Sequence, residues 1–411
     1  MLARVPASTC VKCKGYRHLC GLPRCPILER FRSNIRASLS LRGLNLEGST
    51  PPTVVVGEFG YPKVPVMLGI PPSIKGLLAR GYDDPIGWWG VVGLDEIIRR
   101  RSYLVSPVVR VDVKDFERLY EAELSVAAAS LRPVESEARL KKPPIPKLTF
   151  KPGLSPVGPS AEVREIRVVG NATLPPKLEK LIWDDVSAQD GVVELYMSGV
   201  DVYSIIRSFS VGLLGRLRNR KLVPTRWAIT AVDRALANYF LRKIRFCDTV
   251  SRVELYENEY LGNKFKIILY PGRPLIEWIE VWHPMSVFTA AAEAPVIVYN
   301  KSTPTGKTST IDGGFDAAKV AVLEYLERIR RKASVIIVRE VTPEYYASVG
   351  NWHIRETVRR SFMRPPKRFG SLEEAVDEAL QSLSIRDGFR RELKSMLTRF
   401  RYGGLDRFAK G

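Results

Sequence analysis

The chain has 411 residues, 45% apolar and 26% charged, enough for two or three globular domains and unlike a disordered polymer. Lys and Arg number 64 against 44 Asp and Glu, a formal charge of +20 that favours a polyanionic partner such as nucleic acid. No run of about 18 apolar residues offers a membrane span, and the start of the chain lacks the apolar core of a secretory signal. A soluble, cytoplasmic protein with no membrane contact is expected.

Four of the five cysteines crowd into the first 25 residues, as Cys10-x2-Cys13-x6-Cys20-x4-Cys25. An oxidised framework would spread its cysteines to close long loops. Four thiolates this close can instead surround one tetrahedral metal ion, which supplies folding energy to a segment without a core. Residues 1–28 are therefore read as a zinc-binding module with a structural Zn2+. An iron–sulfur cluster is the alternative, because Cys25-Pro26 has the Cys-Pro order that closes ferredoxin motifs, although the spacing departs from them. Eight Lys or Arg against one acid in residues 1–40 make this arm basic.

Residues 29–140 read as a first α+β domain, with strands at 54–56, 64–68 and 108–113 and a helix over about 115–131. Residues 141–159 hold six prolines and no acid, which blocks helix and central strand and predicts a linker or an extended strap at a domain boundary. From 160 to 360 a larger α+β domain follows. Its expected strands lie at 163–169, 252–257, 264–270, 275–282, 295–299 and 334–341. Helices are expected at about 226–244, with Ile229, Val232, Leu236 and Phe240 inward, and 315–332, with Val320, Leu323 and Leu326 inward. Residues 361–411 hold a helix capped by the Ser371/Glu374 box, a second at about 387–400, and a basic tail. The fold class is thus α+β, a cysteine module followed by two mixed domains.

Between 205 and 226 stand Arg207, Arg216, Arg218, Arg220, Lys221 and Arg226 without a single acid, interleaved with Gly212 and Gly215. A glycine-containing basic loop that enters a helix capped by Thr225 can cradle phosphate, since free N–H groups and the helix dipole add to the side-chain charge. Arg216, Arg218, Arg220, Lys221, Thr225 and Arg226 are the candidate phosphate contacts. Buried Asp233 would need a cation, Arg226 or Lys221.

Weaker signals remain. KSTPTGKT at 301–308 ends in Gly-Lys-Thr, but Lys301 stands where a phosphate loop has its first glycine. Acids gather at Asp184, Asp185 and Asp190, at Glu254, Glu257 and Glu259, and at Glu277 and Glu280. A nuclease would need such groups to converge on Mg2+ or Mn2+. On a strand, Glu277 and Glu280 face opposite sides. Trp278 and Trp282 share a face, for core packing or for stacking on unpaired bases. His18, His283 and His353 are isolated and read as structural or surface residues, and Cys247 as a core thiol.

The run RKLVPTRWAITAVD (220–233), preceded by SVGLLG (210–215), resembles the archaeal NreA family of DNA repair proteins. The cysteine quartet, VGEFGYPKVPVMLG (56–69), YLGNKFKIILYP (260–271), AVLEYLERIRRKASVIIVREVTPEYY (321–346) and WHIRETVRR (352–360) carry the same resemblance. It implies repair of damaged chromosomal DNA and association with the sliding clamp through a C-terminal peptide. In this chain Leu405 and Phe408 occupy that peptide's aliphatic and first aromatic positions. Tyr402 replaces its glutamine and Ala409 its second aromatic, which predicts weakened clamp binding.

The leading expectation is a DNA repair factor with DNA and the sliding clamp as partners. The alternatives are a metal-dependent nuclease or nucleotide-acting enzyme, and a clamp-bound adaptor that does not touch DNA.

Overall fold

The computed structural model describes residues 7–146, 148, 156–303, 305, 306, 308 and 312–402. They fall into two compact units. One is the described part of Arg4–Tyr239 with Tyr346–Ile354; the other is that of Phe240–Tyr345 with Arg355–Gly411. Each is built on one six-stranded mixed sheet, as the α+β reading requires.

In the N-terminal unit the strands are β1 (Asn45–Thr50), β2 (Val54–Val56), β3 (Lys63–Leu68), β4 (Ser106–Asp112), β5 (Val134–Leu140) and β6 (Ser160–Val168). Their order is β1-β5-β6-β4-β3-β2. All neighbours are antiparallel except β4 and β6, which pair in parallel over Ser106–Val108. In β5 the residues Val134, Ser136, Ala138 and Leu140 point inward and the charged residues between them outward, the period of a pleat. Leu46, Ile70, Val105 and Ala138 close one core together with Ala37 of helix Pro26–Leu39.

Two expectations differ here. The stretch 141–159, read as a linker or strap at a domain boundary, joins β5 to β6, which hydrogen-bond to each other in a single sheet. Proline prevents local structure but carries no information about where the flanking strands pair. The helix expected over 115–131 is two, Phe116–Glu121 and Leu124–Ala129, because Glu123 takes a left-handed φ of 57°.

In the second unit β7 (Val253–Tyr260), β8 (Asn263–Tyr270), β9 (Ile276–Trp282), β10 (Val296–Lys301), β11 (Ser334–Val341) and β12 (Lys367–Phe369) lie in the order β10-β9-β11-β8-β7-β12. β9 and β11 run parallel. SVIIVREV is buried at every position, as expected of a central strand covered on both faces. Helix Gly313–Arg328 lies on one face, where Trp278 stacks on Phe315 at 6.1 Å between ring centres. On the other, Ile279, Val281, Ile336 and Val338 meet Ala375, Val376, Leu380 and Leu393 of helices Leu372–Gln381 and Asp387–Tyr402. Ser371 caps the first of these by accepting from Glu374 N–H (3.2 Å), while the Glu374 carboxylate reaches Gly370 N–H rather than that of Ser371. Among the described residues no helix is long and apolar enough to cross a membrane.

The β7–β8 hairpin turns on Leu261 and Gly262, at φ 51° and 66°, the two-residue turn whose twist matches that of the strands. A Cβ on Gly262 would stand 2.8 Å from both Glu344 Cβ and Thr342 Oγ1. Gly262→Ala is therefore expected to cost about 1–3 kcal/mol in urea unfolding. Gly388→Ala, in a helix with nothing within 4 Å of the new methyl, should be neutral or stabilising by up to about 1 kcal/mol.

Candidate nucleic-acid interface

The basic segment 205–226 divides into inward and outward cations. Arg220 is 7% exposed. Its Nε donates to Gly215 O (2.7 Å), Nη1 to Ile182 O (2.5 Å), and Nη2 to Leu181 O and Asp184 O (both 3.0 Å). Leu181 and Ile182 end helix Pro176–Ile182, where Leu181 O has besides a long bond from Asp184 N–H (3.4 Å). Arg207 also turns inward, to Ala128 O (3.0 Å) and Ser204 Oγ (2.8 Å). Arg220 was expected at phosphate; its guanidinium is instead committed to the fold, and burial pulls its pKa down.

Thr225 differs from expectation too. The helix is Thr225–Ile244, and Trp227 and Ala228 N–H bond back to Pro224 O, so Pro224 stands at the cap. The Thr225 hydroxyl accepts from Val56 N–H (2.9 Å) and shares a hydrogen bond with Ser210 Oγ (3.0 Å). It therefore ties the helix start to the end of β2. Of the predicted contacts, Arg216, Arg218, Lys221 and Arg226 remain, and all four are exposed. No acid among the described residues pairs with the first three; Arg226 stands 3.8 Å from Glu58. Asp233 is buried as expected.

Local hydrogen bonds gather this loop with three others at one end of the sheet. Leu222 N–H donates to Val113 O (2.7 Å) just beyond β4, and Val113 N–H to Pro62 O (2.9 Å) just before β3. Leu217 N–H donates to Asp185 Oδ1 (2.9 Å). Lys63 pairs with Asp112 and Val56 with Val66, so the loop 57–62, the loop 113–115 and the basic loop lie toward the same end of these strands. Three exposed aromatics here escaped the sequence reading: Phe59, Tyr61 and Trp227.

Beside this end, β4 and β6 splay apart beyond their three paired residues and leave a pocket of about 360 Å³. Arg110, Arg118, Lys141 and Arg164 line it with Glu162, whose carboxyl is held low first by Lys141 and then by Arg110.

The four clustered cysteines are free thiols. Cys10 and Cys13 lie on helix Ala7–Cys13, and Cys25 precedes helix Pro26–Leu39. Burial and then the neighbouring thiols push Cys10 up; burial raises Cys25 against the N–H groups of Leu28 and Ile27. Cys13 goes the other way. Burial opposes its ionisation, but N–H groups of Leu19, Gly15, Arg17 and His18 point at its sulfur and pull it down. Among the described residues no three His, Cys, Asp or Glu groups stand in metal-binding geometry. The donor chemistry of four mutually sensed thiols nevertheless suits a soft cation.

The acidic clusters are taken up locally. Asp184 accepts from Asp185 N–H, Asp185 from Leu217 N–H, and Asp190 from Ser187 Oγ. Glu254 pairs with Arg368, Glu257 with Lys266 and Lys367, and Glu280 with Arg339. Trp278 and Trp282 are core residues, 0% and 3% exposed, with no face for a base. His283 bonds Glu340 (2.8 Å), and His353 bonds Gly350 O (2.7 Å). Cys247, expected in the core, is half-exposed near the end of helix Thr225–Ile244. Asp312 accepts from Gly314 and Phe315 N–H at the start of helix Gly313–Arg328, filling the place a phosphate would need after 301–308; Lys307 lies outside the described residues. Tyr402 ends the last helix, and Leu405 and Phe408 lie outside the described residues.

The family model described as archaeal Nre, N-terminal, matches residues 19–289, and that described as archaeal Nre, C-terminal, matches 301–408. The chain belongs to the archaeal Nre family. The DNA repair protein NreA of Archaeoglobus fulgidus is 33% identical over 383 residues, 92% of this chain and 94% of its own. The DNA repair protein NreB of the same organism is 33% identical over 373 residues, 89% and 91% of the two chains. The DNA repair protein NreA of Haloferax volcanii is 32% identical over 367 residues, 86% and 87%. No solved structure matches.

The inward and outward cations have opposite expected phenotypes. Arg220→Ala leaves four carbonyls without their donor and should cost about 3 kcal/mol or more in urea unfolding. Arg218→Ala should stay within about 0.5 kcal/mol.

Proposed function

We propose that this protein is a DNA repair factor that holds DNA phosphates on Arg216, Arg218, Lys221 and Arg226, with the basic N-terminal arm adding charge. The observation that carries this is the outward projection of those four side chains from a loop fixed by Arg220, without an acid paired to the first three. The printed names of the curated relatives, all DNA repair proteins, support the same role. Asp185, Glu254, Glu257 and Glu280 are engaged by cations or N–H groups near them, which favours binding over Mg2+- or Mn2+-dependent cleavage.

Cys10, Cys13, Cys20 and Cys25 would hold a structural Zn2+. Their spacing and the N–H groups aimed at Cys13 and Cys25 support this, because such bonds lower the cost of thiolate. The ion would staple a segment too short for its own core. Leu405 and Phe408 would form a minimal plug for the sliding clamp, weakened by Tyr402 and Ala409 at the flanking positions.

Arg218→Ala with Lys221→Ala should weaken duplex binding at every sequence and reduce the slope of log K against log salt by about two, as read by fluorescence anisotropy. Unchanged binding would remove the loop from the interface. If DNA binding is absent while a clamp pull-down depends on residues 403–411, the adaptor reading replaces this one. Elemental analysis should find one zinc per chain, and Cys13→Ser should lose it together with thermal stability.

A further inference from the structure

Of the six strongly exposed aromatics among the described residues, four are at the end of the N-terminal sheet that carries the outward cations: Phe59 (85%), Trp183 (72%), Trp227 (54%) and Tyr61 (53%). Scattered exposed rings need no explanation, but rings gathered among cations do. Trp227 follows Arg226 on the same helix turn. Phe59 and Tyr61 flank Gly60 on the loop after β2, whose last residue is hydrogen-bonded to Thr225. Trp183 lies between the carbonyls of Ile182 and Asp184 that Arg220 grips, with only its edge against Tyr120.

The loop that presents Phe59 and Tyr61 is fixed by close packing. A Cβ on Gly57 would approach Pro65 Cγ to 2.6 Å, and one on Gly60 would approach Lys63 O to 2.8 Å at φ +94°. The backbone that carries the rings is thus set before any ligand arrives, which lowers the ordering cost of binding. The local acids are held at the backbone, apart from Glu58. Asp112 accepts from Lys114 N–H, Asp184 and Asp185 accept from backbone N–H groups, and Glu58 is 3.8 Å from Arg226.

A duplex offers phosphates and groove edges but hides the faces of its bases. Rings standing among phosphate-binding cations match a strand whose bases are unstacked and free to lie on them. We propose that this surface binds single-stranded DNA, with bases stacked on Phe59, Tyr61 and Trp227 and phosphates on Arg216, Arg218, Lys221 and Arg226. This rests on the phosphate reading of the same loop and adds its substrate class: the exposed strand at a damaged or gapped site.

The test uses the full chain and fluorescence anisotropy with four labelled probes: a 20-mer of thymidylate, a 20-base-pair duplex, a 20-unit abasic phosphate chain and a 20-mer of uridylate. The thymidylate strand should bind at least about tenfold tighter than the duplex or the abasic chain. Removing one stacking ring costs about five- to 150-fold. Phe59→Ala with Trp227→Ala should therefore weaken thymidylate binding by about thirtyfold or more, change duplex binding less than about twofold, and leave the salt slope intact. Phe59→Tyr with Trp227→Phe should restore most of the affinity. Equal loss on all probes, or no loss on thymidylate, overturns stacking while leaving the phosphate reading in place. Uridylate binding as tight as thymidylate overturns the assignment to DNA. Failure of Arg218→Ala with Lys221→Ala to weaken any probe overturns the phosphate reading, whatever the aromatic variants do.

Discussion

The guanidinium of Arg220 organises the N-terminal unit's basic loop. Helix Pro176–Ile182 ends with carbonyls in need of donors beyond the helix, and burying one unpaired would cost about 1–3 kcal/mol. Arg220 brings three nitrogens to four carbonyl oxygens, two at that helix end, one at Asp184 just after it and one at Gly215 in its own loop. With that side chain turned inward, the chain on either side of it must run along the surface. Arg216, Arg218 and Lys221 are exposed as a result. One cation is given to the fold and its neighbours are left for a ligand.

The same hydrogen-bonding logic accounts for Thr225. A hydroxyl at a helix start is usually taken up by the helix's own N–H groups; here it takes the N–H of Val56 instead. The helix start and the end of β2 are thereby one rigid piece, and Arg226 and Trp227 inherit that rigidity. Binding residues placed on such a piece lose little freedom when a ligand arrives.

Most elements of the second unit were legible, because β8, β9 and β11 are rich in β-branched and aromatic residues and helix Gly313–Arg328 has an unbroken buried face. β1 and β5 were missed, since their inward positions include Gly48, Ser49 and Ser136, which carry little hydrophobic signal. The outward cations were readable as composition; their separation from Arg207 and Arg220 was not, because it depends mainly on carbonyls 36 to 79 residues distant. Phe59 and Tyr61 were visible as residues, but exposure is a property of the fold and not of the letters. Buried charge in the second unit was equally hidden. Arg339 lies between Asn263 and Glu280 with its guanidinium over Trp282. A one-residue slip of β11 would turn Arg339 to the face built from Ile336 and Val338, so the pair penalises wrong register.

The pairing of β5 with β6 has an outcome for how the chain tolerates interruption. Both strands stay clamped by their backbone ladder whatever happens between residues 141 and 159. A protease cut in that stretch would sever covalent continuity without parting the two pieces, which would travel as one particle until denatured.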